Sequence, residues 1–315
     1  MGREGTGTLE MSTAKLRRRG LSQSAQESLA GYVFALPWLL HLAFLTFIPL
    51  IASFYFSFCN YQIVKAPLFW GLRNYVTLFT NDSRFLKSLW NTVFMVIFGV
   101  PVGMVTGLSI ALLMNTRVRG RAIYRTMYYL PSQVSGVALA LLWGWLLNPQ
   151  FGVVSNVLWK FGIKAPLWIA DPDWVKPSFI LMGLWGVGGS MIIWLAGLQS
   201  IPEVFYEAAQ IDGATRWRRF WSITMPLLSP TVFFVSTTGI IGTFQIFTQA
   251  YVLTAGGPAD ASLFYALYLY RQAFSYFKMG YASAMAWVLF VIIMSLTLLQ
   301  LKLGKSWVYY EAVRA

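Results

Sequence analysis

Residues 206–230, "YEAAQIDGATRWRRFWSITMPLLSP", hold Glu207, Asp212, Arg216, Arg218 and Arg219 in a chain of which only 11% is charged. The chemistry open to such a set is recognition: carboxylates and guanidinium groups form charge-assisted hydrogen bonds with a partner surface. Bond-making chemistry is poorly supplied. His41 is the single histidine and Cys59 the single cysteine, which excludes an internal disulfide, a cysteine zinc site and most histidine-dependent catalysis. A second, neutral set lies in apolar surroundings: Trp185 beside "GVGGS" (186–190), and Thr243, Phe244 and Gln245 within "GTFQIFTQ" (242–249). Aromatic faces suit the apolar surface of a small neutral ligand, and hydroxyl and amide groups suit its polar groups. The same residue types also serve helix packing and interfacial anchoring, so both readings stand.

The elements that must carry these residues are membrane helices. With 57% hydrophobic residues and a mean hydropathy of +0.59, the composition is that of a polytopic membrane protein. Six runs free of Asp, Glu, Lys and Arg are long enough to cross a bilayer, which takes about 20 apolar residues in helix: 30–58, 91–114, 126–147, 178–199, 231–253 and 281–301. The expected fold is all-α, with a tail at 1–29, a six-span domain at 30–303 and a second tail at 304–315. "KLRRRG" (15–20) resembles the start of a signal peptide, but the apolar run after it is far longer than the usual 7 to 15 residues or so, so it is expected to remain as a span.

Lys and Arg set the orientation. With the N-terminus cytoplasmic, fifteen fall inside and nine outside, which predicts both termini cytoplasmic and the charged segment between spans four and five on the same side. The net charge of +13 is then a topology signal, and nucleic acid is not an expected partner. Within the segment, "SIPE" (200–203) fits a capping box with Ser200 as N-cap. Val204, Ala208 and Ile211 follow at i, i+4 and i+7 on one face. Gly213 is suited to a left-handed stop and Thr215 to capping a second short helix with Trp217, Phe220 and Trp221, limited by Pro226 and Pro230. Pattern alone fits a solvated connector or a hairpin lying on the membrane surface as well as a docking element.

The particular residues resemble a known signature. Glu207-Ala208-Ala209, Gly213, Ile223 and Pro226 match the EAA motif of ABC-importer permeases, E-A-A-x3-G-x9-I-x-L-P, with Met225 at the Leu position as a volume-conserving exchange. "FWGLRNYVTLFTNDSRFLKSLWNTVFM", "RGRAIYRTMYYLPSQVSGVALALLWGWLLNPQFGVVS" and "LTAGGPADASLFYALYLYRQAFSYFKMGYASAMAWVLF" are similar to the sugar-permease branch, so the resemblance spans about residues 31–302. It implies the type I importer permease fold in a prokaryotic cytoplasmic (inner) membrane. It further implies a second permease subunit, expected as a heterodimer, two ATPase subunits that hold ATP and Mg, and an extracytoplasmic solute-binding protein. The segment 200–229 would dock into the ATPase, and relatives that bind sugar in the membrane use the regions holding Trp185, Thr243, Phe244 and Gln245. No cofactor is expected on this chain itself.

Two other matches carry nothing. "LKLGKS", ending at Ser306, has Leu299 where a phosphate loop needs glycine, and "NDS" (81–83) is a three-residue coincidence. The competing function is an ion-coupled secondary transporter of a neutral solute. It is disfavoured because His41 is the sole ionisable relay candidate among these six runs, and a membrane-embedded enzyme lacks an acid, base or metal constellation.

Overall fold

The computed structural model describes residues 22–116 and 119–309. The basic cluster at 15–20, most of the tail 1–29, Arg117 and the end of the tail 304–315 lie outside the described residues. The chain divides between Ala52 and Ser53 into two compact units. The first holds α1 (Gln23–Leu40), a π-helical turn, His41–Phe47, and the start of α2 (Ile48–Ser57), whose residues from Ser53 on belong to the second. The stretch Glu27–Ser57 is long and apolar enough to be span one.

After α2 the second unit continues with a two-stranded antiparallel hairpin, β1 (Cys59–Gln62) and β2 (Lys65–Phe69), in the register Cys59↔Phe69. These short strands add to a fold that is otherwise helical. The helical α3 (Arg73–Thr80) and α4 (Ser83–Phe94) follow, and α4 continues through a π-helical turn, Met95–Gly99, into α5 (Val100–Asn115). Span two therefore begins at Ser83, eight residues before the expected 91. The Asp82 carboxylate caps α4 by accepting the Phe85 amide at 2.9 Å, so helix starts there and carries Arg84 and Lys87 in its first turns.

The third expected span, 126–147, is not one helix. It breaks into α6 (Arg121–Tyr129), a 3-10 turn at Leu130–Gln133, and α7 (Gly136–Leu146). Pro131 has no amide to continue α6, and Ser135 restarts the chain by capping α7 at Ala138. The 11 residues of α7 reach only about 17 Å, short of a hydrocarbon core of about 30 Å. After α8 (Val153–Lys160), span four is a bent pair, α9 (Val175–Trp185) and α10 (Gly188–Gln199), at 53° to each other. The polar segment comprises α11 (Glu203–Ile211), α12 (Arg216–Arg219), a π-helical turn at Phe220–Thr224 and α13 (Met225–Leu227). Span five is α14 (Ser229–Phe244), interrupted before α15 (Thr248–Leu253), and α16 (Tyr265–Tyr270) leads to the long α17 (Met279–Trp307). Among the described residues four helical stretches suit a membrane crossing, five with the bent pair, against the six expected.

Packing joins α5, α10 and α14 through Ala111, Met191, Trp194, Leu195, Leu228 and Val235. A second core gathers Leu78, Phe85, Phe179, Phe264, Tyr265 and Met285. There Asn91 donates to the carbonyls of Asp260 (2.8 Å) and Leu263 (3.2 Å), Thr92 accepts the Tyr265 amide at 2.9 Å, and Arg84 pairs with Asp260 at 3.2 Å. These bonds hold the loop before α16 against α4. A side chain at Gly280 would place its Cβ 2.1 Å from the Cys59 carbonyl oxygen, so only glycine lets the start of α17 reach the hairpin. At the other end of α17, the Tyr309 amide donates to Ser229 Oγ at 2.9 Å. The 29 residues of α17 span about 44 Å, so the hairpin and the polar segment lie at opposite ends of this unit.

Candidate functional site

The polar segment begins differently from the capping-box expectation. Ser200 still belongs to the end of α10: its amide donates to Ala196 and its hydroxyl donates to the Gly197 carbonyl at 2.8 Å. The N-cap position of α11 is taken by Pro202, which makes no side-chain cap bond. The turn at Gly213 follows its sequence signal. Gly213 has φ +73°, its amide donates to Gln210 at 3.0 Å, and the Ala214 amide donates to Ala209 at 2.8 Å, the two bonds of a Schellman stop. Thr215 then caps α12 by accepting the Arg218 amide at 3.3 Å. The result is a helix, a glycine turn and a second helix.

A contact with no signal in the pattern ties α11 to the π-helical turn after α12: the Tyr206 hydroxyl and the buried Thr224 hydroxyl lie 3.0 Å apart. Glu207, Ala208, Gly213 and Pro226 are exposed, while Ala209 and Ile223 are half-buried. The apolar stripe is uncovered too. Val204 and Ala208 are exposed and Ile211 is 87% exposed, with Trp217 and Trp221 open on α12 and the adjoining turn. Apolar surface of this kind bordered by charge is what a protein docking face or a helix lying on a membrane surface presents. Its chemistry is a carboxylate, Glu207, beside small residues that permit close approach.

The second candidate region lies where the two broken spans meet. A cavity of about 290 Å³ is lined by Met95, Phe179, Gly183, Gly186, Thr243 and Gln249, among others, and is mostly apolar. Thr243 donates its hydroxyl hydrogen to the Gly239 carbonyl at 2.8 Å, leaving oxygen lone pairs. The other three sequence candidates lie elsewhere. Phe244 is 1% exposed and packed in the interior, Gln245 is exposed at the C-cap of α14, and Trp185, 39% exposed, sets its ring edge-to-face on Trp143 at 5.3 Å. Gln249 reaches the cavity because α14 stops and α15 restarts at Thr248, a change of direction that helical periodicity does not reveal. The glycines of 186–190 divide as well: Gly186 borders the cavity, whereas Gly188 leaves no room, since a Cβ there would lie 2.1 Å from the Tyr128 carbonyl oxygen.

Residues 99–308 match the family described as binding-protein-dependent transport system inner membrane component. The chain is 42% identical to the probable ABC transporter permease protein YesP of Bacillus subtilis (strain 168) over 91% of its own length and 94% of that protein's. It is 32% identical to the trehalose/maltose transport system permease protein MalF of Thermococcus litoralis (strain ATCC 51850 / DSM 5473 / JCM 8560 / NS-C), covering 93% and 97%. In fold it is similar to a chain of the bacterial alginate ABC transporter in complex with alginate pentasaccharide-bound periplasmic protein, with a TM-score of 0.77, 26% identity, and coverage of 89% of this chain and 95% of that one.

Proposed function

Because this chain belongs to the family of binding-protein-dependent transport system inner membrane components, we propose that it is a translocation-pathway subunit of an ATP-driven importer of a sugar or oligosaccharide. The observation that carries the coupling part of this reading is the exposed helix–Gly213–helix segment, with Glu207, Ala208 and the Val204–Ile211 stripe uncovered at one end of the unit. A cytoplasmic ATPase is the partner it suits: Glu207 offers a carboxylate to a basic side chain, and the stripe offers apolar contact. Two such ATPases would hold ATP and Mg, and their closure would pull on α10 and α14, which flank the segment, and so rock the spans between inward- and outward-facing states. A second permease subunit of different sequence and an extracytoplasmic binding protein complete the assembly. The saccharide class is supported by the sugar and polysaccharide systems in which similar proteins work.

Orientation follows the Lys and Arg distribution, with both termini and the coupling segment cytoplasmic. In a Cys59→Ser background, Val64→Cys at the hairpin tip, where the native side chain is 93% exposed, is expected to react with an impermeant maleimide added to intact cells. Ser306→Cys, near the opposite end of α17, is expected to react only after the membrane is opened. External labelling of Ser306→Cys would invert the topology and remove the coupling segment from the ATPase.

Passage through the membrane is assigned to the cavity between α9, α14 and α15, with Thr243 and Gln249 as its polar groups. Gln249→Leu keeps the volume and removes both amide functions. It should cut uptake about ten-fold, the loss of one or two hydrogen bonds to a sugar hydroxyl. Gln245→Leu, on a residue outside the cavity lining, should change uptake much less. Equal effects of the two in a transport assay would move the pathway away from this cavity.

A further inference from the structure

A cavity lined mainly by polar side chains lies at the hairpin end of the molecule, away from both regions above. Its volume is about 480 Å³, within the range of about 300 to 1,000 Å³ typical of small-molecule sites. Three separate pieces of chain enclose it: the β1–β2 hairpin, the junction of α3 and α4, and the turn from α16 into α17. The wall is rigidly built. One oxygen of the Asp82 carboxylate accepts the hydroxyls of both Tyr268 (2.6 Å) and Tyr281, while the other accepts the Phe85 amide. Burial, and after it the neighbouring Asp82, raises the Tyr268 hydroxyl above the usual phenol range, so it stays a donor at any physiological pH. Asn74 spends its amide hydrogens on the carbonyls of Ser57 (2.8 Å) and Cys59 (2.9 Å), which fixes the hairpin over the cavity.

One polar group in this wall is unsatisfied. Gln272 is only 5% exposed, its backbone carbonyl accepts the Lys278 amide at 2.8 Å, and its side-chain oxygen has no partner among the described residues. A buried amide oxygen without a donor is costly, and Gln272 is among the residues that line the cavity. Trp70 also lines the cavity and is 41% exposed, with the Arg73 guanidinium 5.4 Å from its ring centroid on the ring face. An indole at the edge, a lone acceptor inside and further amide groups from Asn60 and Asn81 are the components of a saccharide site. The lining carries one carboxylate, Asp82, and one ammonium, Lys278, so it holds no net charge that would select an ion.

We propose that this cavity is a receiving subsite that holds one neutral, polyhydroxylated sugar unit at the outer end of the molecule, before it enters the membrane pathway. The subsite rests on the importer reading above. A hydroxyl of the sugar donates to Gln272 Oε1, and its C–H face lies on Trp70. Sugar released by the binding protein is thereby retained close to the spans, and diffusion back into bulk solvent is reduced.

The test uses the assembled importer in lipid vesicles with its binding protein, and radiolabelled D-glucose, L-arabinose, maltose and maltotriose as probes. Gln272→Leu and Trp70→Ala should each lower uptake of whichever probe the wild type carries by about ten-fold. They should also abolish saturation transfer from the importer to that probe in the absence of binding protein. Stimulation of ATP hydrolysis by loaded binding protein should stay at the wild-type level, which also reports that both variants are folded. Trp70→Phe should retain uptake. If both variants match the wild type in uptake and saturation transfer, the subsite is refuted while the importer reading stands. Lost stimulation of hydrolysis with unchanged saturation transfer would make the cavity a seat for the binding protein instead. Wild-type importer that carries none of the four probes excludes a glucose, arabinose or malto-oligosaccharide unit as the occupant.

Discussion

Gly213→Val is expected to abolish ATP-coupled uptake while the membrane-spanning part still assembles. The residue sits at φ +73°, and the Schellman bonds from Gly213 to Gln210 and from Ala214 to Ala209 depend on that conformation. A β-branched side chain there costs on the order of 1 to 3 kcal/mol, and the chain can relieve it by opening the turn. Nothing lies within 4 Å of the Cβ position, so backbone strain rather than a clash is the whole effect, and the bundle is spared. Opening the turn rotates α12 away from α11, and a partner that reads both helices loses its seat. Purified complexes should show ATPase recruitment reduced at least ten-fold, the equivalent of about 1.4 kcal/mol. Glu207→Ala leaves the exposed helix α11 intact and removes one charged contact, so ATPase should still bind, with less hydrolysis stimulated per sugar moved. Wild-type recruitment and stimulation in both variants would reduce the segment to a connector.

Gly188→Val should have the largest effect on folding. The Cβ would stand 2.1 Å from the Tyr128 carbonyl oxygen and 2.8 Å from Tyr129 Cα, both backbone atoms that no rotamer change can move. Helix α10 would be forced off the end of α6, a cost at or above the upper end of overpacking, about 3 kcal/mol. The neighbouring Gly189→Ala is the control, because its Cβ meets nothing within 4 Å. Size-exclusion chromatography and thermal unfolding in detergent should show Gly188→Val aggregated or strongly lowered in Tm, with Gly189→Ala unchanged. Equal behaviour of the two would mean that α6 and α10 do not meet as described.

The helix–Gly213–helix turn was legible in the sequence because its bonds are local. Gly213 and Thr215 act on groups three to five residues away, so residue type and spacing determine the turn and the cap. Ser200 misled for a related reason: its hydroxyl had a nearer acceptor at Gly197, and Pro202 moved the helix start beyond its reach. Hydropathy marked the apolar runs but not their interruptions, and four or five helical stretches among the described residues suit a crossing where six were expected. Pro131 and Ser135 divide the third run, and the pause at 245–247 turns Gln249 toward the cavity that Phe244 and Gln245 do not line. The outer cavity had no local signal at all. Asp82, Tyr268 and Tyr281 are nearly 200 residues apart at the extremes, and only the packed fold brings them together.

Energy source is the point on which the whole account turns. The decisive measurement is uptake of radiolabelled sugar by vesicles containing this chain with its permease, ATPase and binding-protein partners, with ionophores collapsing every ion gradient. Uptake that requires ATP and loaded binding protein, survives the ionophores and disappears in Gly213→Val is the expected result. Uptake that proceeds without ATP and stops when the gradients are collapsed would contradict the account and identify an ion-coupled transporter.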